Sequence, residues 1–195
     1  MATAAALAET TSDPRRFFWY GVWCLIMTVS ALPLAGYHVK PLMSYFPLLV
    51  IHEFAAFFFF GHTFFSNIWS MVIRTTQPRE MGVWARQFLR KLALVVTGPM
   101  AVVVTVAGAM LTEHLGGFRN NPWAWDAYFS FWLMCGVSVV PDVIRYGRNR
   151  HADDPTHGLL NGGIRAMIAT VLVFLIMWLM ATKQSVLAVH LFAPA

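Results

Sequence analysis

The chain alternates long uncharged stretches with short basic ones, and that alternation limits it to very few folds. No Asp, Glu, Lys or Arg interrupts Phe17–Tyr37, Leu92–Thr112 or Ala166–Thr182. Met43–Ile73 holds Glu53 alone, and Trp123–Ile144 carries only Asp126 and Asp142, near its two ends. About 20 apolar residues rising ~1.5 Å each cross a hydrocarbon core of ~30 Å. The sequence therefore predicts an all-α, polytopic membrane bundle of five transmembrane helices, over about 17–37, 43–73, 92–112, 123–144 and 164–183. Composition supports this, since 58% of the 195 residues are apolar and 12% charged, against roughly 45–50% and 25% in soluble domains. Too little polar surface remains to face water, which excludes a soluble enzyme, a disordered regulator and a disulfide scaffold.

Arg15 and Arg16 before an apolar run give the first span the look of a secretory signal. A signal core holds only ~7–15 apolar residues, and this run is 21 long, so it is expected to stay as a helix. Residues 1–14 are expected to be disordered, or ordered only by a partner, and residues 15–195 to form one membrane domain.

Basic residues retained near helix ends mark the cytoplasmic side. One set of ends carries eleven Lys and Arg: Arg15, Arg16, Arg74, Arg79, Arg86, Arg90, Lys91, Arg145, Arg148, Arg150 and Arg165. The other carries three: Lys40, Arg119 and Lys183. The bias alternates through all five spans, which puts the N-terminus in the cytoplasm and the C-terminus in the periplasm. It also assigns the net charge of +5 to the membrane surface rather than to nucleic acid. Within Pro78–Lys91, Met81, Trp84, Phe88 and Leu89 share one helical face and the cations lie mostly elsewhere, as in a helix lying on anionic lipid; a solvated linker helix fits the same pattern.

Thr97, Ala101, Thr105 and Ala109 recur every four residues and form a small-residue stripe of the kind that lets helix backbones approach. Pro99 removes a backbone donor at the start of that helix and is expected to kink it. Cys24 and Cys135 both fall inside spans and are expected as packed, reduced thiols.

Chemistry is expected from polar groups that burial in a membrane makes expensive. His52 and Glu53 stand out, ~10 Å outward of the middle of the second span. His62 lies ten residues on, ~15 Å along the axis, too far to share a metal ion with His52 on one helix. The topology gathers His38, His114 and His190 on the side of His52, with Glu53 and Glu113, and leaves His151 and His157 on the other. Imidazole ligates both haem iron and copper, so His52, His114, His38 and His190 are candidate metal ligands, and His52, His114 and Glu53 candidate cofactor-binding residues. Histidines at an interface also serve simply as hydrogen-bonding groups, and no HExxH, CxxCH or paired-cysteine spacing selects a metal. His62 reads as a hydrogen-bond donor to a carbonyl across the bundle, Asp142 as the ion-pair partner of Arg74 or Arg145, and the run Phe57–Phe60 as packing or lipid-facing.

Ile51-His52, Gly61-His62, Trp69 with Arg74 and Pro78, Thr97-Gly98-Pro99 and Gly108 resemble a family of predicted bacterial integral membrane proteins of unknown function. That family is related in pattern to the HemJ-type protoporphyrinogen oxidases and the copper-resistance D proteins. The resemblance spans about half the chain, including Asn161 and Arg165 of the last helix, and makes the first helix an addition to a four-helix core. It implies b-type haem at His52 in a bacterial cytoplasmic (inner) membrane, and the histidine set keeps copper as the lesser alternative. The lysine that HemJ-type enzymes carry after the Thr-Gly-Pro helix has no counterpart in Asp126-Ala127-Tyr128-Phe129. Two functions follow as expectations. One is a haem-binding redox subunit passing electrons between a periplasmic partner and the quinone pool. The other is a non-catalytic structural or assembly subunit of a larger membrane complex.

Overall fold

A computed structural model describes residues 15–148 and 159–187. Among them the chain is all-helical, with no strand. Six α-helices follow in order: α1 (Arg15–Ser30), α2 (Tyr45–Thr76), α3 (Arg79–Leu92), α4 (Gly98–His114), α5 (Pro122–Arg148) and α6 (Leu159–Thr182). Three helical segments are long and apolar enough to cross a membrane, namely Tyr45–Thr76, Ala93–His114 and Leu160–Thr182. They match the second, third and fifth expected spans. The described residues are thus helical, with three candidate membrane-spanning helices.

The first expected span is cut short. α1 stops at Ser30, the chain passes through a 3₁₀ turn at Leu32–Ala35, and Gly36 takes a left-handed φ of 87°. Pro33 offers no backbone donor, and a left-handed residue closes a helical end rather than extending it. Sixteen residues make a helix of ~24 Å, shorter than the hydrocarbon core.

The irregularity expected at Pro99 takes the form of a wide turn. Residues Ala93–Thr97 form a π-helical turn joining α3 to α4, and the N–H of Gly98 reaches back five residues to the carbonyl of Ala93. With the Pro99 donor missing, an ordinary i to i−4 ladder cannot continue unbroken through this point. On α3, Trp84 and Phe88 stack with centroids 5.3 Å apart, and both meet Trp69 of α2 edge-on. Ala85 lies buried on the same helix.

The core follows small residues. Ala101 of α4, Ala55 and Phe59 of α2, Ala127, Phe131 and Met134 of α5 and Ala169, Val173, Ile176 and Leu179 of α6 form one buried cluster. Three members of the expected stripe, Ala101, Thr105 and Ala109, are buried, so the stripe packs as its spacing implied. The phenylalanine run divides. Phe59 is buried against Phe131, whereas Phe57 and Phe58 are exposed. Cys135 is partly buried and Cys24 exposed, and neither forms a disulfide. Cys24 thus departs from the packed environment expected of it. The side chain of Asp142 and the residues His151 and His157 lie outside the described set, so its expected arginine pairing goes unseen.

Two polar contacts tie the shorter elements on. The Tyr128 hydroxyl donates to the carbonyl of Ser30 at 2.6 Å, fixing the end of α1 to α5. Asp126, fully buried, accepts at Oδ2 from the Ser185 hydroxyl at 2.5 Å and from the N–H of Leu187 at 3.0 Å. The segment after α6 is thereby folded back onto the start of α5. Asp126→Ala is expected to lose both bonds, about 2 kcal/mol at a net ~1 kcal/mol each. Limited proteolysis beyond Thr182 should be faster in that variant and intermediate in Asp126→Asn, which keeps an acceptor oxygen. Cleavage as slow as in the parent would count against the clasp.

Candidate functional site

Among the described residues α2 and α4 pair extensively, and His52 lies within that pairing. The imidazole Nδ1–H donates to the carbonyl of Val104 at 2.9 Å. That carbonyl is already the intrahelical acceptor for the residue four positions on, which is Gly108. A side chain at 108 would stand over the carbonyl's second lone pair, and a Cβ there would lie 2.9 Å from His52 Cε1 and 3.2 Å from Nδ1. The glycine therefore admits the ring to the backbone of the facing helix. With the proton on Nδ1, the free lone pair is on Nε2.

His62, deeper in the bundle, makes the second link between the same helices. Its Nδ1 and the Thr97 hydroxyl share a hydrogen bond of 2.8 Å. The acceptor expected for His62 was a carbonyl; a side chain at the last residue of the π turn takes that place. Ser66 bonds within α2 to the carbonyl of Thr63.

The remaining candidate ligands join loops to helix ends. His114 Nε2–H donates to the carbonyl of Met43 at 2.9 Å, and His38 Nδ1–H donates to Glu113 Oε1 at 3.0 Å. His190 lies outside the described residues. Among the described residues no three His, Cys, Asp or Glu side chains converge on a point where a metal ion would sit.

His52 and Glu53, adjacent in sequence, part company in space. Successive helical residues point ~100° apart, so when His52 faces α4 its neighbour must face elsewhere, and Glu53 is exposed. Its charge acts on His52 and on Lys183, the residue just past the end of α6. Lys183 has a left-handed φ of 57°, and its Nζ sits 3.9 Å above the centroid of the Trp123 ring. Partial burial holds the Lys183 ammonium below its ordinary pKa, and the Glu53 carboxylate opposes that shift. Neither Lys183 nor Asp126 stands out as a site residue in the sequence. The one available signal is that Asp126 is an acid among the aromatic residues Trp123, Trp125 and Tyr128.

As a haem site, the arrangement fits in one respect only. His52 presents Nε2 with Nδ1 anchored to a carbonyl, as metal-bound histidines do. The Cε1–Nδ1 edge of the ring is turned to Gly108 and leaves no room for a macrocycle at that contact, and His114 uses its Nε2 elsewhere. No family model matches the chain, nor does any curated protein or solved structure.

The contact at Gly108 predicts a change of sign. Gly108→Ala should destabilise the protein by about 1–3 kcal/mol through overpacking, more than offsetting the ~1 kcal/mol that alanine gains over glycine in a helix. In a His52→Ala background the clash is gone, and the same substitution should stabilise. Thermal unfolding of the four proteins in detergent measures both effects; a Gly108→Ala change of the same sign in both backgrounds would refute the contact.

Proposed function

We propose that the chain is a multi-pass subunit of a bacterial cytoplasmic membrane, crossing it five times with its N-terminus inside, the first crossing made by α1 together with the 3₁₀ turn that follows it, and that it serves as a non-catalytic structural or assembly component of a larger complex. One observation carries this reading. Each described member of the candidate ligand set uses a ring nitrogen to join two parts of the chain: His38 to Glu113, His52 to Val104 and His114 to Met43. Hydrogen bonds of this kind between helices serve as polar glue where lipid removes the hydrophobic drive for helix association. The exposed apolar faces of α2 and α6, including Phe46, Phe57, Leu160 and Val171, then face lipid or a protein neighbour. The basic bias of the loops supports the orientation.

The anchoring of His52 Nδ1 favours a second reading, in which His52 would hold a b-type haem and the subunit would pass electrons between a periplasmic partner and the quinone pool. The family resemblance points the same way. A haem there would supply one-electron chemistry, while the protein's own part is to hold the imidazole by Val104 with Nε2 unprotonated.

A reduced-minus-oxidised spectrum of the detergent-purified protein separates the two, with copper content and thermal midpoint measured alongside for the parent and His52→Ala. The structural reading expects a flat spectrum, no bound copper and a lower midpoint for His52→Ala. A haem band in the parent that vanishes in His52→Ala would overturn it in favour of the redox reading.

A further inference from the structure

Glu53 shares a face of α2 with Phe46, Val50 and Phe57, which are 76%, 68% and 74% exposed. Among the described residues its carboxylate makes no hydrogen bond or ion pair. An acid set among lipid-facing side chains is costly unless something supplies it with donors. Its depth follows from helix length. The 32 residues of α2 span ~48 Å, about 18 Å more than the hydrocarbon core. With that excess shared between the two ends, Glu53 falls ~3 Å inside the hydrocarbon boundary, at the level where headgroups begin.

A held cation lies near the outer end of α6. Lys183 N–H bonds the carbonyl of Leu179 in a left-handed cap, its ammonium lies over Trp123, and Asp126 pins the residues that follow. Phe64 of α2 meets Phe174 of α6, and Glu53 and Lys183 lie eleven and nine residues outward of that contact, so the two helices carry the acid and the cation to similar depths, ~16 and ~14 Å away along the axes. A membrane contains one abundant group that has both complementary charges a few ångströms apart on one molecule, the zwitterionic headgroup. Of the common zwitterions, an ethanolamine ammonium donates hydrogen bonds to a carboxylate, whereas a choline has no N–H to give.

We propose that Glu53 and Lys183 form a binding site for the headgroup of a phosphoethanolamine lipid, Glu53 taking the amine and Lys183 the phosphate. The acyl chains then run toward the bilayer centre along Phe57 and Phe64, in the shallow seam between α2 and α6 where Phe64 meets Phe174 edge-on. α2 and α6 touch far less than α2 and α4 do, which leaves that seam open to lipid.

The test is native mass spectrometry of the intact, delipidated protein with equal mole fractions of phosphatidylethanolamine, its mono- and dimethylated forms, phosphatidylcholine and phosphatidylglycerol. Retention is expected to fall stepwise as the amine is methylated. Glu53→Gln should lower the ethanolamine-to-choline ratio about tenfold, the worth of one charge-assisted hydrogen bond. Lys183→Gln should weaken all of these phospholipids alike, and Glu53→Asp should keep the ethanolamine preference. Equal retention across the methylation series in the parent protein overturns the proposal, and so does an ethanolamine preference that survives in Glu53→Gln. A direct Glu53–Lys183 ion pair would instead give equal losses of thermal stability in both lipid-free variants with lipid ratios unchanged, which also overturns it.

Discussion

The approach of α2 to α4 at His52 and Gly108 governs the arrangement of the other helices. In lipid, apolar side chains gain little by leaving the solvent, so helices associate through close backbone contact and polar bonds. This seam has both, because the glycine that allows the approach also uncovers the carbonyl that receives the imidazole. Ala55 and Phe59, one and two turns beyond His52, are then held at the depth where they meet Ala101, Phe131 and the α6 core residues. The His62–Thr97 bond makes a second point of contact along the same pair, and two points fix a rotation as well as a distance.

Elsewhere the polar groups join what apolar packing leaves loose. α1 is short, the loop after it is irregular, and the described residues beyond α6, 183–187, are not helical; each is held by a hydrogen bond to a residue far away in sequence. Tyr128 reaches Ser30, His114 reaches the carbonyl of Met43, and Asp126 reaches Ser185 and Leu187. Three of these bonds use backbone groups, one at the end of α1 and two in the connecting segments, that have no helical partner of their own.

Long charge-free runs are a local property, and for that reason the helices at 43–73, 92–112 and 164–183 were legible within a few residues of Tyr45–Thr76, Ala93–His114 and Leu160–Thr182. The early end of α1 was legible too, in Pro33 and Gly36, but a count of uncharged residues runs through both. The site was harder to read because it depends on direction. Adjacency in sequence made His52 and Glu53 look like one chemical unit, while helical geometry sends one into the bundle and the other outward. Asp126 was hidden for a different reason. Its partner Ser185 is 59 residues away, in a stretch that carries no periodic signal, so only the folded chain brings the two together.

The π turn at Ala93–Thr97 also sets the phase of everything after it. An α-helix advances about 100° per residue, so a pattern written on one end stays aligned with a pattern on the other. A turn closed by a bond from Gly98 to Ala93 advances less, and the faces before and after it fall out of step. The aromatic face of α3 can therefore address Trp69 while the small-residue face of α4 addresses the core, although the two helices follow one another without a loop. Residues 79–92 and 98–114 act as two messages on a single helix, and the wide turn keeps each from being read in the other's frame.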